Sequence, residues 1–367
     1  MRDILDKIDE WLARGEQVAL ATLVGVRGSA PRRPGASMAV TAAGAMAGSV
    51  SGGCVETAVI ESARTVLATG APALESYGLA DEQELDVGLP CGSVDILVER
   101  LPEDEAWREV VAAVRAHAST ATAVALEPAA MRGRRLVLAG ALSEAGARVI
   151  GSIDPALDAS VVAAARALVG RDATRVLQLD ANSDTGPVSV FVQGFARPDP
   201  LIVIGATEIA VHLARLAAAA GFRVTVIDPR SAFADPDRFD VDVTLLREWP
   251  DAVLTDERML HDAYLVALSH DTKFDVPALE RGLRAGAFYV GALGSARTHE
   301  RRCELLRSGG VSEEDIRRIH SPVGLDIGAQ GPYQIAVAVL AELIAARNHC
   351  EGGERVGRRA ANGSANG

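Results

Sequence analysis

The amino-acid sequence predicts an α/β chain: an N-terminal α/β domain built from two degenerate half-repeats, then a C-terminal domain with a doubly wound parallel sheet. Three observations predict it. Of the 367 residues, 49% are hydrophobic and 23% charged, the balance of a soluble globular protein with room for two or three domains. The first hundred residues recur, in worn form, in the second hundred. From residue 200 onward, short apolar runs alternate with helical patterns, the signature of parallel strands joined by crossover helices.

The elements bear this reading in order. Residues 2–14 place Ile4, Leu5, Ile8, Trp11 and Leu12 on one helical stripe. "QVALATLVGV" is a buried-type strand. "RGSAPRRPGASMAV" is a loop leading into a strand at 37–41, and "GAMAGSVSGG" is a further strand and turn. "CVETAVIESARTVLATG" reads as a helix stopped at Gly70, and "VDILVERL" as a strand with Pro102 just past it. In the second half "RRLVLAG" parallels "ASMAVTA". "GSIDPALDASVVAAARALVG" parallels "GSVSGGCVETAVIESARTVLATG", and "VSVFVQGFARP" parallels "VDILVERLPED". The offset is close to 102 residues throughout, with Gly48 meeting Gly151 and Arg64 meeting Arg166. The N-terminal domain is therefore placed at 1–196, with half-repeats at about 1–101 and 102–196.

"RPDP" at 197–200 marks the boundary to a C-terminal domain at 200–349. Its strands are "LIVIG", "GFRVTVIDPR", "DAYLVALSH" and "FYVGALGS", and a long helix closes it. The tail 351–367 lacks apolar periodicity and is expected to be disordered.

A net charge of -12 argues against a large nucleic-acid footprint and against a polybasic membrane anchor. No run of 18 apolar residues suggests a membrane span. Cys54, Cys91, Cys303 and Cys350 lie far apart with no CxxC, which excludes the usual zinc spacings. A reducing cytoplasm is the expected location.

The second half lacks the SGGC turn, the PRRPG loop and the LPCGS turn, so the fold of a half does not require them. That points to binding or chemistry. Ser51, Gly52, Gly53 and Cys54 sit where a glycine turn meets a helix start. Backbone N–H groups and the helix dipole favour an anion there, a thiolate included, and glycines let a ligand approach closely. The bland alternative is a small buried cysteine at a tight turn. Cys91 in "GLPCGS" has a similar Gly-flanked setting. Arg32 and Arg33 lie between two prolines, ahead of Gly35, in a stiffened loop. Their guanidiniums suit phosphate or carboxylate; the alternative is a solvated loop.

In the C-terminal domain "GATEIA" follows a strand. Gly205 and Ala210 fit the first and third positions of a dinucleotide fingerprint, and Asp228 stands where an acid binds a ribose hydroxyl. Thr207 takes the middle position, where a Cβ obstructs a pyrophosphate. A Rossmann-like fold is expected and tight NAD(P) binding is not. "SHDTKFD" carries His270, Asp271 and Asp275, read as a polar loop, with acid/base or metal-ligand roles as the alternative.

The stretches "GSAPRRPGASMAV", "GSVSGGCVE", "DVGLPCGSVDILVE", "VTVIDPR", "YVGALGS" and "PVGLDIGAQGPYQIAVAVLAELIA" together resemble the XdhC/CoxI family of molybdenum-cofactor chaperones, the xanthine dehydrogenase accessory factors. The resemblance runs from about Leu12 to Ala346. It implies a carrier, not an enzyme, with an N-terminal α/β domain and a Rossmann domain. Such a carrier binds the molybdopterin form of the cofactor, promotes its sulfuration by a cysteine desulfurase, and delivers it to a molybdenum hydroxylase of the xanthine or carbon monoxide dehydrogenase type. It also suggests a homodimer. Molybdopterin brings a phosphate and a dithiolene-bound metal oxide, so the turn, the arginines and Cys54 suit it. Cys54 would contact molybdenum, relay sulfur or only shape the turn. The chain departs from the family at Ser93 and Thr207, where glycines are usual, and at Gln334, where an acid is usual. The reading from a different class is an NAD(P)-dependent oxidoreductase using the Rossmann domain. A weaker third is a protein that only bridges desulfurase and client.

Overall fold

The computed structural model describes residues 1–78, 92–140, 148–180 and 186–349. Cys91 and the tail 351–367 lie outside the described residues. Two units divide the chain after Arg197.

In the first unit, the first hundred residues run α1 (Arg2–Ala13), β1 (Val18–Gly28), β2 (Ser37–Thr41), β3 (Met46–Gly48), α2 (Glu56–Thr69), β4 (Ala73–Gly78) and β5 (Gly92–Arg100). The next hundred repeat the order: α3 (Glu105–Arg115), β6 (Thr120–Glu127), β7 (Arg135–Ala139), β8 (Arg148–Gly151), α4 (Asp158–Leu168), β9 (Thr174–Asp180) and β10 (Pro187–Phe195). The two sheets share one permutation, β3-β2-β1-β5-β4 and β8-β7-β6-β10-β9. Every pairing in them is antiparallel. Duplication is thus written in topology as well as in sequence. The constant offset is not. Thr22 pairs with Leu97 and its counterpart Val124 with Phe191, so the last strand is displaced by 94 residues. The chain between the second helix and the last strand is shorter in the second half.

The central strands of each sheet are buried on both faces, which is why β1 and β6 read as continuous apolar runs. Ala19, Ala21 and Leu23 of β1 pack on Val59, Ala63 and Val66 of α2. The alternate residues Val18 and Leu20 face a core shared by α1 and α3, with Trp11, Trp107 and Val137 in it. Beyond those helices the sheets meet directly through Val24, Leu97, Val124 and Phe191. Leu12 falls off the expected stripe and is 46% exposed, because one residue past Trp11 turns it about 100° around the helix.

Polar contacts cross between the halves, and the buried ones lie at the joint of the sheets. Glu99 of β5 pairs with Arg135 of β7, both more than nine-tenths buried. Gln193, the counterpart of Glu99, donates from Nε2 to the Gly35 carbonyl at 3.3 Å, just ahead of β2. Burial pushes the Glu99 carboxyl up, and Arg135 opposes it.

The second unit is a parallel sheet. Its elements are β11 (Asp199–Ile204), α5 (Glu208–Ala219), β12 (Phe222–Ile227), β13 (Thr244–Leu246), α6 (Pro250–Val253), α7 (Glu257–Leu260), β14 (Tyr264–Ala267), α8 (Thr272–Arg284), β15 (Tyr289–Ala292), α9 (Ala296–Ser308), α10 (Glu313–Ile316), β16 (Ile319–His320) and α11 (Gly331–His349). The strand order is β13-β12-β11-β14-β15-β16, with parallel pairing throughout. Helices α5 and α11 cover one face and α8 and α9 the other. The order reverses between β11 and β14, so the loops at their carboxyl ends border the crevice where such sheets take ligands. Among the described residues no helix is long and apolar enough to cross a membrane.

Candidate functional site

The turn from Gly48 to Glu56 is built around one carboxylate. Gly52 and Gly53 take φ +83° and +115°, a left-handed course that curls successive N–H groups inward. Glu56 at the start of α2 fills the hollow. Its Oε1 accepts from the N–H of Ser51 at 2.9 Å and Gly52 at 3.1 Å. Its Oε2 accepts from Gly53 at 2.9 Å and Val55 at 3.2 Å. The Ser49 and Ser51 hydroxyls donate to the same carboxylate at 2.6 and 2.5 Å. Burial alone would raise its pKa, but these donors outweigh burial and bring the carboxyl down to about 2. The anion that the sequence assigns to a ligand is the chain's own side chain. The nest offers a phosphate nothing.

The same turn frees Cys54 for other work. Its N–H donates to Ser51 Oγ at 3.0 Å, and the residue is exposed rather than buried. The second half shows which parts are architecture. There Asp158 accepts from the Ser152 hydroxyl at 2.6 Å and from the N–H of Ile153 and Asp154 at 2.9 and 3.2 Å. That turn is one residue shorter and has no thiol. An acid-filled turn therefore belongs to the fold, and the extra, cysteine-bearing residue does not.

The PRRPG loop lies against this turn: a Cβ on Gly52 would stand 3.3 Å from Pro31 Cβ. Arg32 is half-buried, its charge acts on Asp3, and its Nε has no partner among the described residues. Arg33 is exposed. Gly35 has a packing duty instead. At φ +92° it is buried, and a Cβ there would meet Gln193 Nε2 at 2.7 Å and Thr174 Cγ2 at 3.2 Å. The structure thus brings Pro31, Gly52 and Cys54 to one place and assigns Gly35 to the joint between half-repeats.

In the second unit, the expected nucleotide contacts are otherwise engaged. A Cβ on Gly205 would come within 2.7 Å of Ser269 Cα, so this glycine lets the ends of β11 and β14 touch. Thr207 caps α5 by accepting from the Ala210 N–H. Asp228, expected to face a ribose, is 0% exposed. It accepts from the Ala206 N–H at 2.8 Å and from the Arg230 N–H, Nε and Nη2 at 2.9, 2.9 and 2.7 Å. Burial pushes this carboxyl up, but Arg230 and the two N–H groups hold it below the usual range. Asp228 ties β12 to the β11 turn and has no room for a hydroxyl.

Of the "SHDTKFD" loop, Asp271 caps α8. Asp275 is buried, accepting from Ser269 Oγ and Arg302 Nη2 at 2.6 Å each. Exposed His270 has φ +60°. No cluster of metal-ligating side chains occurs among the described residues. Sequence reasoning missed Glu56, Asp158 and Arg302. The signal for the first two was available, as an acid at the same place in both half-repeats.

Comparison with known proteins agrees with this architecture. Residues 11–78 match the model of the XdhC and CoxI family, and residues 201–343 match that of the XdhC Rossmann domain. A Bacillus subtilis protein described as a probable xanthine dehydrogenase subunit is 30% identical over 93% of this chain and 96% of its own. The Escherichia coli molybdenum cofactor insertion chaperone PaoD is 28% identical over 95% of this chain and 90% of its own. A Bacillus halodurans structure described as a xanthine dehydrogenase superposes with a TM-score of 0.73, at 23% identity, over 97% of this chain and 98% of that one. Its fold is therefore this fold. With a relative 30% identical along nearly its whole length and both family models matched in order, the chain belongs to the XdhC and CoxI family.

Proposed function

We propose that this protein is a carrier for molybdenum cofactor, with no turnover of its own, that readies the cofactor and hands it to a client enzyme. The observation that carries the reading is the end-to-end similarity to the insertion chaperone PaoD, over 95% of this chain. The cofactor is cargo here. In its molybdopterin form it is sulfurated with the help of a cysteine desulfurase and passed to a xanthine or carbon monoxide dehydrogenase-type hydroxylase in the cytoplasm. The homodimer suggested by the family resemblance is part of the same proposal.

The residues fit the cargo unevenly. Exposed Cys54 offers a soft sulfur to a molybdenum centre or to a sulfur atom in transit. The turn beneath it cannot hold the phosphate, because Glu56 takes its N–H groups. Arg32, with a buried Nε and no partner among the described residues, and exposed Arg33 supply the positive charge beside the turn. The oxidoreductase reading draws no support from Asp228, whose oxygens are fully engaged.

The test is cargo retention. The protein is purified from a host that makes molybdenum cofactor, oxidised, and assayed for pterin fluorescence and molybdenum per chain. Pterin is expected with the parent, and little with Cys54→Ala or with the double variant Arg32→Ala/Arg33→Ala. An absence of pterin from every sample, even with cofactor added in excess, rejects the carrier reading.

A further inference from the structure

The second unit contains a buried cation whose hydrogen-bonding capacity is largely unused. Arg302 on α9 is 1% exposed. Its Nη2 donates to Asp275 Oδ2 at 2.6 Å and to the Leu293 carbonyl at 2.7 Å. Its Nε and Nη1 have no partner among the described residues. Buried donors are nearly always satisfied, so an orphaned guanidinium asks for an explanation.

Three features say where the missing partner would sit. A Cβ built on Gly294 would lie 3.1 Å from Arg302 Nη1 and 3.2 Å from Thr298 Cβ, so the partnerless nitrogen lies directly beneath the Gly294–Thr298 turn. Gly294 and Ser295 lead directly into the first turn of α9, whose leading N–H groups have no intrahelical acceptor. Ser295 caps only Thr298. The first turn of α9 contains no acid, unlike those of α2, α4, α5 and α8, and carries Arg297 instead. The place is the carboxyl end of β15, on the rim where open parallel sheets bind ligands.

We infer that the Gly294–Thr298 turn, backed by Arg302 and flanked by Arg297, is a binding site for a phosphate monoester. A dianion there meets the positive end of a 13-residue helix and an exposed guanidinium, and Arg302 lies beneath as fixed counter-charge. Asp275 already neutralises one edge of Arg302 and anchors it to Ser269, so the cation stays in place whether or not the ligand is present. The inference stands independently of the cargo reading, since it uses none of Arg32, Arg33 or Cys54.

The experiment is equilibrium dialysis of the full chain against radiolabelled inorganic phosphate, at constant ionic strength set with chloride. Saturable binding is expected. Arg297→Glu, at an exposed position, puts a competing acid into the first turn and should weaken binding about tenfold. Its thermal midpoint without phosphate should match the parent. Arg302→Lys, which keeps the charge but loses the forked donors, should weaken binding as well. AMP and the oxidised, phosphate-bearing pterin of molybdenum cofactor are then added as competitors. The one that displaces label better than unlabelled phosphate identifies the natural source, and if neither does, the ligand is free phosphate. No saturable uptake up to about 10 mM, or equal uptake by the parent and Arg297→Glu, overturns the inference. Loss of pterin in the Cys54 variant with phosphate binding intact would separate the two sites.

Discussion

Glu56→Gln is expected to lower the stability of the protein at pH 7 by about 3 kcal/mol, the linkage value of a carboxyl moved from 4.5 to about 2. The amide also turns a donor toward N–H groups that need an acceptor. The pH dependence gives the signature. A depressed carboxyl stabilises the fold above its unfolded pKa, and that stability is lost as pH falls from about 4.5 toward 2. The gap between parent and variant should therefore be widest at neutral pH and narrow steadily as pH falls from about 4.5 toward 2. Urea midpoints at a series of pH values measure it, and because other carboxyls titrate alike in both proteins, the difference isolates Glu56. A gap that stays constant down to pH 2.5 would mean that the carboxylate is not held as the geometry indicates. The variant should also lose pterin, since Cys54 rides on the turn that Glu56 shapes.

The second large effect belongs to the joint between half-repeats. Glu99→Leu takes from buried Arg135 its close, buried partner and leaves only exposed Asp104 at 3.7 Å, at a cost of about 3 kcal/mol. Arg135→Met strands Glu99 in the same way. Removing both takes the desolvation penalty away with the attraction, so the double variant should recover most of the loss. A double-mutant cycle read by chemical unfolding tests this. Strict additivity of the two single losses would refute the pairing as a coupled unit. Recovery would show that the pair specifies how the halves meet and adds little net stability.

Much of the fold was legible because the residues concerned act locally. Gly70 stops α2 in a left-handed conformation at φ +78°, and the 37–41 strand stands where its apolar run lies. The duplication could be read because an apolar pattern survives the loss of identities. Pairing could not be read: nothing local says that β1 lies between β2 and β5. Glu56 escaped because an acid in the first turn of a helix is ordinary, and its capture of the nest depends on two glycines that curl the chain back over it. Asp275 and Arg302 meet across 27 residues, beyond the reach of any spacing rule. Asp228 was placed correctly at the end of its strand, but Arg230, two residues on, claims it.

The unequal turns of the half-repeats have a consequence for stoichiometry. A symmetric dimer carries two copies of each reactive group. This unit has the layout of such a pair within one chain, with Glu56 and Asp158 filling equivalent turns, yet only the turn one residue longer carries a thiol. If Cys54 is the cargo contact, as proposed above, loading is expected to stop at one cargo per chain, whatever number of chains associate. The Asp158 turn is the same scaffold left blank.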